Sequence, residues 1–276
     1  MSKEKRNLLH DFESTSFTHH DTTREVFRLG DGPAVIVMEE MPGITPKVIE
    51  FARRVAGIGC TAVIPHLFGD PGRSPWTNPA KRRPDAAYLF SSIGPACVAK
   101  EFTAFATGQT SPVIDWLRAL SRHEFEQCGG KGVGAVGMCF TGGFALGMMV
   151  DDHLMAPVLS QPSLPIAVKG ARSRSSVHLS PADLERVKER AAAGVCVLGL
   201  RFTGDRLSPP ERFATLRREL GDAFIGVEID SSKGNAHGVR RTAHSVLTED
   251  LVDEPGHPTH DALNQVLDFF RDRLIP

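Results

Sequence analysis

A thiol stands among small residues in the segment Gly137-Met138-Cys139-Phe140-Thr141-Gly142-Gly143. In a tight strand-to-helix turn the nucleophile occupies the tip, and its neighbours two residues away must be small because the backbones pass closely. Here those neighbours are Gly137 and Thr141. The positive end of the following helix favours the thiolate, which is the reactive form of cysteine. The pattern predicts that Cys139 is a nucleophile, and the alternative is a packing cysteine at a glycine-rich helix start.

A cysteine nucleophile needs a base that can also protonate the leaving group, and histidine is the usual choice. In enzymes with this turn, an acid and then the histidine follow the nucleophile along the chain. Asp205 comes just after the predicted strand Val195–Phe202, at the carboxyl edge of the sheet, and is the predicted acid unless it merely caps the next helix. His237, in a loop rich in Gly, Ser and Asn, is the predicted base, and His244 and His260 are its rivals.

The oxyanion that forms during attack on a carbonyl must be held by N–H donors. One donor is expected to be the backbone of Phe140, and the second should come from the loop after the predicted strand Ala34–Met38. Pro42 in that loop has no N–H, so Met41 is the predicted donor. Glu40 could reach the cysteine, and the alternative for Glu39 and Glu40 is that both lie at a solvated loop tip.

Strands and helices alternate along the chain, which predicts a mostly parallel sheet with helices on both faces. The predicted strands are Glu25–Leu29, Ala34–Met38, Thr61–Ile64, Val133–Gly137, Ala156–Ser160, Val195–Phe202 and Phe224–Ile229. The predicted helices are Pro46–Ala56, with Thr45 as its cap, Ser111–Phe125, Phe140–Val150, Pro181–Ala193, Pro209–Leu220 and His260–Leu274. We expect one domain over residues 1–276, with an N-terminal extension over 1–22 and irregular inserts over 70–92 and 161–185.

The composition is that of an ordinary globular protein, with 276 residues, 41% apolar and 24% charged residues, and a net charge of −1. This balance argues against nucleic acid as a partner, and no apolar run is long enough to span a bilayer. The N-terminus has no apolar signal region, and the five cysteines show no zinc spacing. We expect a cytoplasmic protein without metal or cofactor, in which the four other cysteines are small buried hydrophobes.

With these residues assembled, the chain resembles the dienelactone hydrolase family from about Ala34 to Leu274. The resemblance implies an α/β-hydrolase fold and a Cys-Asp-His triad, in which Asp205 orients His237 and Cys139 attacks the substrate. It also implies that Glu40 holds the resting thiol aside until substrate enters.

The resemblance further implies that Arg241, four residues after His237, binds a substrate carboxylate. The chain departs from the family pattern in several places. Thr141 replaces a glycine, only one tyrosine, Tyr88, is present, and the second carboxylate-binding arginine has no clear match. Arg206 is one substitute for that arginine, alongside Arg82 and Arg83. The family's dienelactone substrate is therefore not carried over.

The resulting hypothesis is a hydrolase of small, anionic ester or lactone substrates that forms a thioester acyl-enzyme. Two other functions stay open. A hydrolase-fold binding protein without turnover would keep the fold but not the reactivity of Cys139. A thiol used for acyl transfer or redox sensing would keep the reactivity but not the hydrolysis. The oligomeric state is left open by the sequence.

Overall fold

The computed structural model describes residues 8–98, 111–163 and 174–276. Ten strands are present in this part of the chain: β1 (Glu13–His19), β2 (Thr22–Leu29), β3 (Ala34–Met38), β4 (Thr61–Pro65), β5 (Trp76–Asn78), β6 (Arg83–Pro84), β7 (Val133–Met138), β8 (Leu154–Ser160), β9 (Val197–Phe202) and β10 (Phe224–Ile229). The helices are α1 (Pro46–Gly57), α2 (Ala86–Val98), α3 (Pro112–Cys128), α4 (Phe144–Met148), α5 (Pro181–Ala192), α6 (Pro210–Leu220) and α7 (Pro258–Leu274).

The central sheet has eight strands in the order β1-β2-β4-β3-β7-β8-β9-β10. The six strands from β4 to β10 in this order are parallel, and β2 pairs antiparallel with both β1 and β4. The carboxyl ends of the parallel strands therefore meet at one edge of the sheet. Loops that leave this edge after β3, β7, β8 and β9 are brought together there, which is where sites form in parallel sheets.

Both faces of the sheet are covered by helices, because alternate residues of its strands point into two separate cores. On β3, Ile36 and Met38 pack in the core that also holds the apolar residues of α3, α4, α5 and α6. The intervening residues Val35 and Val37 pack in the core that holds the apolar residues of α1 and α7. The predicted architecture of a mostly parallel sheet between two helical layers is confirmed.

The capping residue of α1 is the one that the sequence predicts. Thr45 has an extended backbone, and its hydroxyl accepts a hydrogen bond from the Val48 N–H at 3.3 Å. Pro46 occupies the first helical position, where its missing N–H costs nothing. The helix thus begins as expected and ends within one residue of the predicted boundary.

The N-terminal segment differs from its prediction. Residues 13–19, expected in an extension, form β1, and they pair with β2 from Glu13 opposite Arg28 to His19 opposite Thr22. The strand is polar and mostly exposed, and Phe17 is its only residue packed against a core. A strand at the edge of a sheet needs no regular apolar alternation, so the pattern gave no sign of it.

Part of the predicted insert 70–92 is also regular. It contains the small hairpin of β5 and β6 and the start of α2, and Asp85 caps that helix by accepting a hydrogen bond from the Tyr88 N–H at 3.1 Å. The many prolines between residues 70 and 92 indicate loops, so the sequence did not predict that Asp85 caps a helix. Within the second insert, residues 164–173 lie outside the described part of the chain, and α5 begins at Pro181.

The predicted helix Phe140–Val150 is shorter than expected. A single 3-10 turn over Cys139–Thr141 is followed by the five-residue helix α4. Gly142 and Gly143 lie between the two, and glycine is a poor helix former. The chain after Cys139 therefore makes a tight turn close to the end of β8 and does not form one long helix.

Four cysteines with described side chains are free, and Cys60 is buried as expected, whereas Cys128 and Cys196 are partly exposed. Cys97 lies outside the residues whose side chains are described. None of the helices in the described ranges is both long and apolar enough to cross a membrane.

Candidate active site

Cys139 lies at the tip of a tight turn at the carboxyl end of β7. Its backbone has φ of +55°, a strained conformation for a residue with a side chain. A Cβ atom on Gly137 would lie 2.0 Å from the Thr141 carbonyl oxygen, and one on Gly142 would lie 2.5 Å from the Pro162 Cα. Larger residues at these two positions would force the turn apart. The turn thus has the steric requirements of a nucleophile elbow.

Asp205 holds the imidazole of His244. The Nδ1 of His244 donates to the Asp205 Oδ2 at 2.7 Å, and the other carboxylate oxygen accepts the Leu207 N–H at 2.9 Å. Asp205 follows β9 as predicted and is only 6% exposed. A buried carboxylate at Nδ1 sets the ring orientation and makes Nε2 the atom available for proton transfer.

The ring of His244 lies next to the Cys139 thiol. Burial lowers the pKa of His244, but the charge of Cys139 and the hydrogen bond to Asp205 outweigh it, and the pKa is raised well above its ordinary value. The Nε2 atom is buried and makes no hydrogen bond of ordinary geometry within the described residues. The thiol and the ring are thus near enough to interact strongly.

The predicted pairing of His237 with Asp205 is wrong. Asn235 folds the loop into a tight polar turn, since its Oδ1 accepts the backbone N–H groups of His237 at 3.2 Å and Val239 at 2.9 Å. His237 is exposed on this turn, and its ring lies 5.7 Å from that of His257.

The other rival, His260, donates to the exposed Asp253 at 2.9 Å. One signal could have identified His244. It lies in the largely apolar stretch Ala243–Leu247, whereas His237 is surrounded by Gly, Ser and Asn. A residue in contact with a buried acid needs such apolar neighbours, because they exclude water from the pair.

The hydroxyl of Ser163 contacts the thiol. Its Oγ lies 3.2 Å from the Cys139 Sγ, and its backbone N–H donates to the Cys139 carbonyl at 2.8 Å. Sequence reasoning did not identify Ser163, because no motif marks a serine 24 residues after a nucleophile. It follows β8 directly, however, and the loops after neighbouring parallel strands meet at one edge.

Glu40 does not make the expected contact with the thiol. Its carboxylate is 2% exposed and accepts hydrogen bonds from the hydroxyls of Ser245, at 2.7 Å, and Thr248, and from the Gln161 amide at 3.3 Å. Burial raises the pKa of Glu40, and the two hydroxyls oppose this effect. The side chain thus fastens the segment that carries His244 to the loop that carries Met41.

Thr141 joins the nucleophile turn to the same loop. Its hydroxyl accepts the Met138 N–H at 2.9 Å and lies 3.2 and 3.1 Å from the carbonyl oxygens of Met38 and Glu39. Glycine at this position could make none of these contacts. Threonine in place of the family's glycine therefore has a structural role. Its hydrogen bonds hold the turn that carries Phe140 against the loop that carries Met41, the two predicted oxyanion donors.

A cavity of about 480 Å³ opens beside the His244–Asp205 pair. Its wall includes the side chains of Arg206, Leu207 and Arg241, and the arginines are exposed. Arg241 was predicted here by counting four residues from His237, and the same count from His244 gives Thr248. Counted from His244, the arginine position that the resemblance implies is Thr248, a buried residue whose hydroxyl bonds to Glu40, while Arg241 lies at the cavity wall.

Two other residues considered from the sequence have different environments. Tyr88 is buried, and its hydroxyl accepts the Asp70 N–H at 3.0 Å, so this tyrosine supports the loop after β4. Arg82 donates to the Glu249 carbonyl at 2.7 Å and pairs with Asp250 at 3.3 Å.

With this geometry in view, comparison with known proteins identifies the relatives of the chain. Residues 26–274 match the model of the dienelactone hydrolase family. The chain belongs to that family. As a member of the dienelactone hydrolase family it is a hydrolase that acts on ester bonds, and the resemblance inferred from the sequence is confirmed. No curated protein matches the chain.

Solved structures show the same fold at low sequence identity. A putative dienelactone hydrolase from Klebsiella pneumoniae is 18% identical, with a TM-score of 0.57 over 94% of this chain and 97% of that one. A dienelactone hydrolase-like promiscuous phosphotriesterase from metagenomic libraries is 18% identical, with a TM-score of 0.60 over 95% and 98%. A cold-adapted esterase from an Arctic intertidal metagenomic library is 14% identical, with a TM-score of 0.56 over 95% and 93%. The α/β-hydrolase fold of this dienelactone hydrolase family member is therefore confirmed.

Proposed function

We propose that the protein hydrolyses small carboxylic esters or lactones through a triad of Cys139, His244 and Asp205. The observation that carries this proposal is the position of His244, which bonds to Asp205 through Nδ1 and lies beside the thiol with Nε2 unbonded. The raised pKa of His244 favours a protonated ring, and in the proposed resting state this imidazolium forms an ion pair with the thiolate of Cys139. Such an ion pair is ready to attack without first removing a proton.

The proposed reaction has two steps. The thiolate of Cys139 attacks the carbonyl carbon, the N–H groups of Phe140 and Met41 hold the oxyanion, and the leaving alkoxide takes the proton of the His244 imidazolium. The neutral imidazole then removes a proton from water, which attacks the thioester. The tetrahedral intermediate then expels the Cys139 thiolate and releases the carboxylic acid, while His244 keeps the proton that it took from water.

Arg206 and Arg241 support an anionic group on the substrate. Both are exposed at the cavity beside the triad, and no described acidic side chain pairs with either. Guanidinium groups recognise carboxylates by paired hydrogen bonds. We therefore propose an ester or lactone that carries a carboxylate some distance from the reacting carbonyl.

The triad is tested by hydrolysis of p-nitrophenyl acetate by wild type, Cys139→Ala, His244→Ala and His237→Ala. Loss of the nucleophile or the base should reduce kcat by roughly 10⁴-fold, as in other triads. His237→Ala is the matched control and should retain full activity. Normal turnover by His244→Ala, or a large loss in His237→Ala, would reject the assignment of the base.

A further inference from the structure

Two histidines and a carboxylate meet at the turn between β1 and β2, away from the active site. The Nε2 of His19 lies 3.0 Å from the Asp115 Oδ2, and the Nε2 of His20 lies 3.4 Å from the same oxygen. One ligand atom from each of the three residues lies within 4.8 Å of the other two. Asp115 comes from the first turn of α3, 96 residues after His19.

We propose that His19, His20 and Asp115 bind a divalent transition-metal ion of the zinc type. Metal bonds to histidine and carboxylate are about 2.0–2.1 Å long, so neighbouring ligand atoms on a tetrahedron lie about 3.3 Å apart. The two distances to the Asp115 oxygen, 3.0 and 3.4 Å, fit these edges. Imidazole with carboxylate suits Zn²⁺, Ni²⁺ or Cu²⁺ rather than Mg²⁺, which prefers oxygen ligands.

The surroundings leave room for the remaining ligands. His19 and Asp115 line a cavity of about 390 Å³, where water molecules can complete the coordination sphere. Arg118 and Arg122 also line it, but Asp151 accepts two bonds from Arg118, at 2.6 and 2.9 Å. Arg118 is thus paired with Asp151, which also lines the cavity, and its hydrogen bonds do not occupy Asp115.

The cluster is separate from the triad. Its strand, β1, lies four places from β7 in the sheet, and strands are spaced about 4.8 Å apart, so the cluster lies roughly 20 Å from Cys139. A bound ion would join the β1–β2 hairpin to α3 and would stabilise the folded chain, since the unfolded chain lacks the assembled ligands.

Zinc titration calorimetry of the full chain tests this site, with every variant made in a Cys139→Ser background so that the active-site thiol cannot bind the ion. The parent is expected to bind one Zn²⁺ and to show no binding of Mg²⁺. His20→Ala and Asp115→Asn should weaken Zn²⁺ binding by roughly tenfold or more. His260→Ala is the matched control, because it disrupts an exposed histidine–aspartate pair that offers only two ligands.

A second readout distinguishes metal binding from simple hydrogen bonding between the histidines and Asp115. Zn²⁺ should raise the Tm of the parent and the control but not that of His20→Ala, whose side chain is 76% exposed in the parent and is not needed for folding. The proposal is overturned if the parent does not bind Zn²⁺, or if the two ligand variants bind it as tightly as the control.

Discussion

His244 and Asp205 are separated by 39 residues in the chain and joined by a hydrogen bond of 2.7 Å between Nδ1 and Oδ2. The bond leaves the opposite nitrogen, Nε2, beside the thiol of Cys139. A histidine held in this way can take up and release a proton only on the side that faces the nucleophile. In the proposed triad, the protonation state of this ring therefore depends on both Asp205 and Cys139.

The titration of His244 should depend on Cys139. The thiolate is the largest of the influences that raise the pKa of His244, and burial opposes it. The wild-type ring should therefore keep its proton above the ordinary histidine pKa of 6.5, whereas in Cys139→Ala burial should shift the midpoint downward. NMR of the ring protons over a pH series measures both midpoints. Identical midpoints in the two proteins would show that the thiol and the ring do not interact.

Thr141 should act as a positioning residue for the oxyanion loop. Thr141→Val keeps the side-chain shape but leaves the buried Met138 N–H without its acceptor, at a cost of about 1–3 kcal/mol in the free energy of unfolding. Displacement of the loop should also lower kcat by roughly tenfold or more, with a smaller effect on KM. Thr141→Ser retains the hydroxyl and should restore kcat. Urea unfolding and ester kinetics check both effects, and equal kcat values for Val and Thr would contradict the role.

Glu39 should make the protein less stable as the pH rises. Burial raises its pKa from 4.5 to about 8, although the Leu67 and Phe68 N–H groups donate to its carboxylate. Between these values the folded chain holds a proton that the unfolded chain has released, so the free energy of unfolding falls with pH, by up to about 4–5 kcal/mol.

Glu39→Gln removes this titration. The free energy of unfolding of the variant should therefore increase relative to that of wild type from pH 5 to 8, as measured by urea unfolding at each pH. Glu126→Gln, at an exposed glutamate of α3, is the matched control and should follow wild type. A constant difference between Glu39→Gln and wild type across this range would mean that Glu39 is already ionised when folded.

The arginines at the cavity should select for charge. Arg206→Gln and Arg241→Gln should each raise KM by up to about fivefold for an ester that bears a carboxylate, as expected for exposed ion pairs of up to about 1 kcal/mol. KM for a neutral ester of the same size should not change. Arg83→Gln, at an exposed arginine outside this cavity, is the control. Equal effects on both esters would show that the cavity does not recognise charge.

The fold was predictable from the sequence wherever one face of an element had to be apolar. The buried strand Ala34–Met38 has the predicted boundaries, since a continuous apolar run admits few other structures. The strand Phe224–Ile229, which is only partly buried, also has the predicted boundaries. The edge strand β1 was not predictable in this way. Its stability comes from hydrogen bonds to β2, which place few demands on side chains.

The site was predictable as far as local backbone chemistry determines it. The turn at Cys139 is recognisable because the backbone passes too close to Gly137 and Gly142 for larger residues, and both lie within three residues of the cysteine. The choice between His237 and His244 depends instead on how a long loop folds back over the sheet, and the apolar neighbours of His244 are a weak local sign of that path. The cluster of His19, His20 and Asp115 could not be predicted from a local pattern, since Asp115 comes from a helix that is distant in the sequence.

The hydrogen bonds of Thr141 and Glu40 connect the segments that carry Cys139, Met41 and His244 in the absence of substrate. One links the nucleophile turn to the loop after β3, and the other links that loop to the segment of His244. The groups of the proposed triad and oxyanion loop are thus held together in advance, while Arg206 and Arg241 lie outside them on the rim of the cavity. If the proposed triad and the proposed carboxylate contact are right, mutations of Arg206 and Arg241 should change which ester is accepted and leave the cleavage step intact, so specificity can diverge at these two positions.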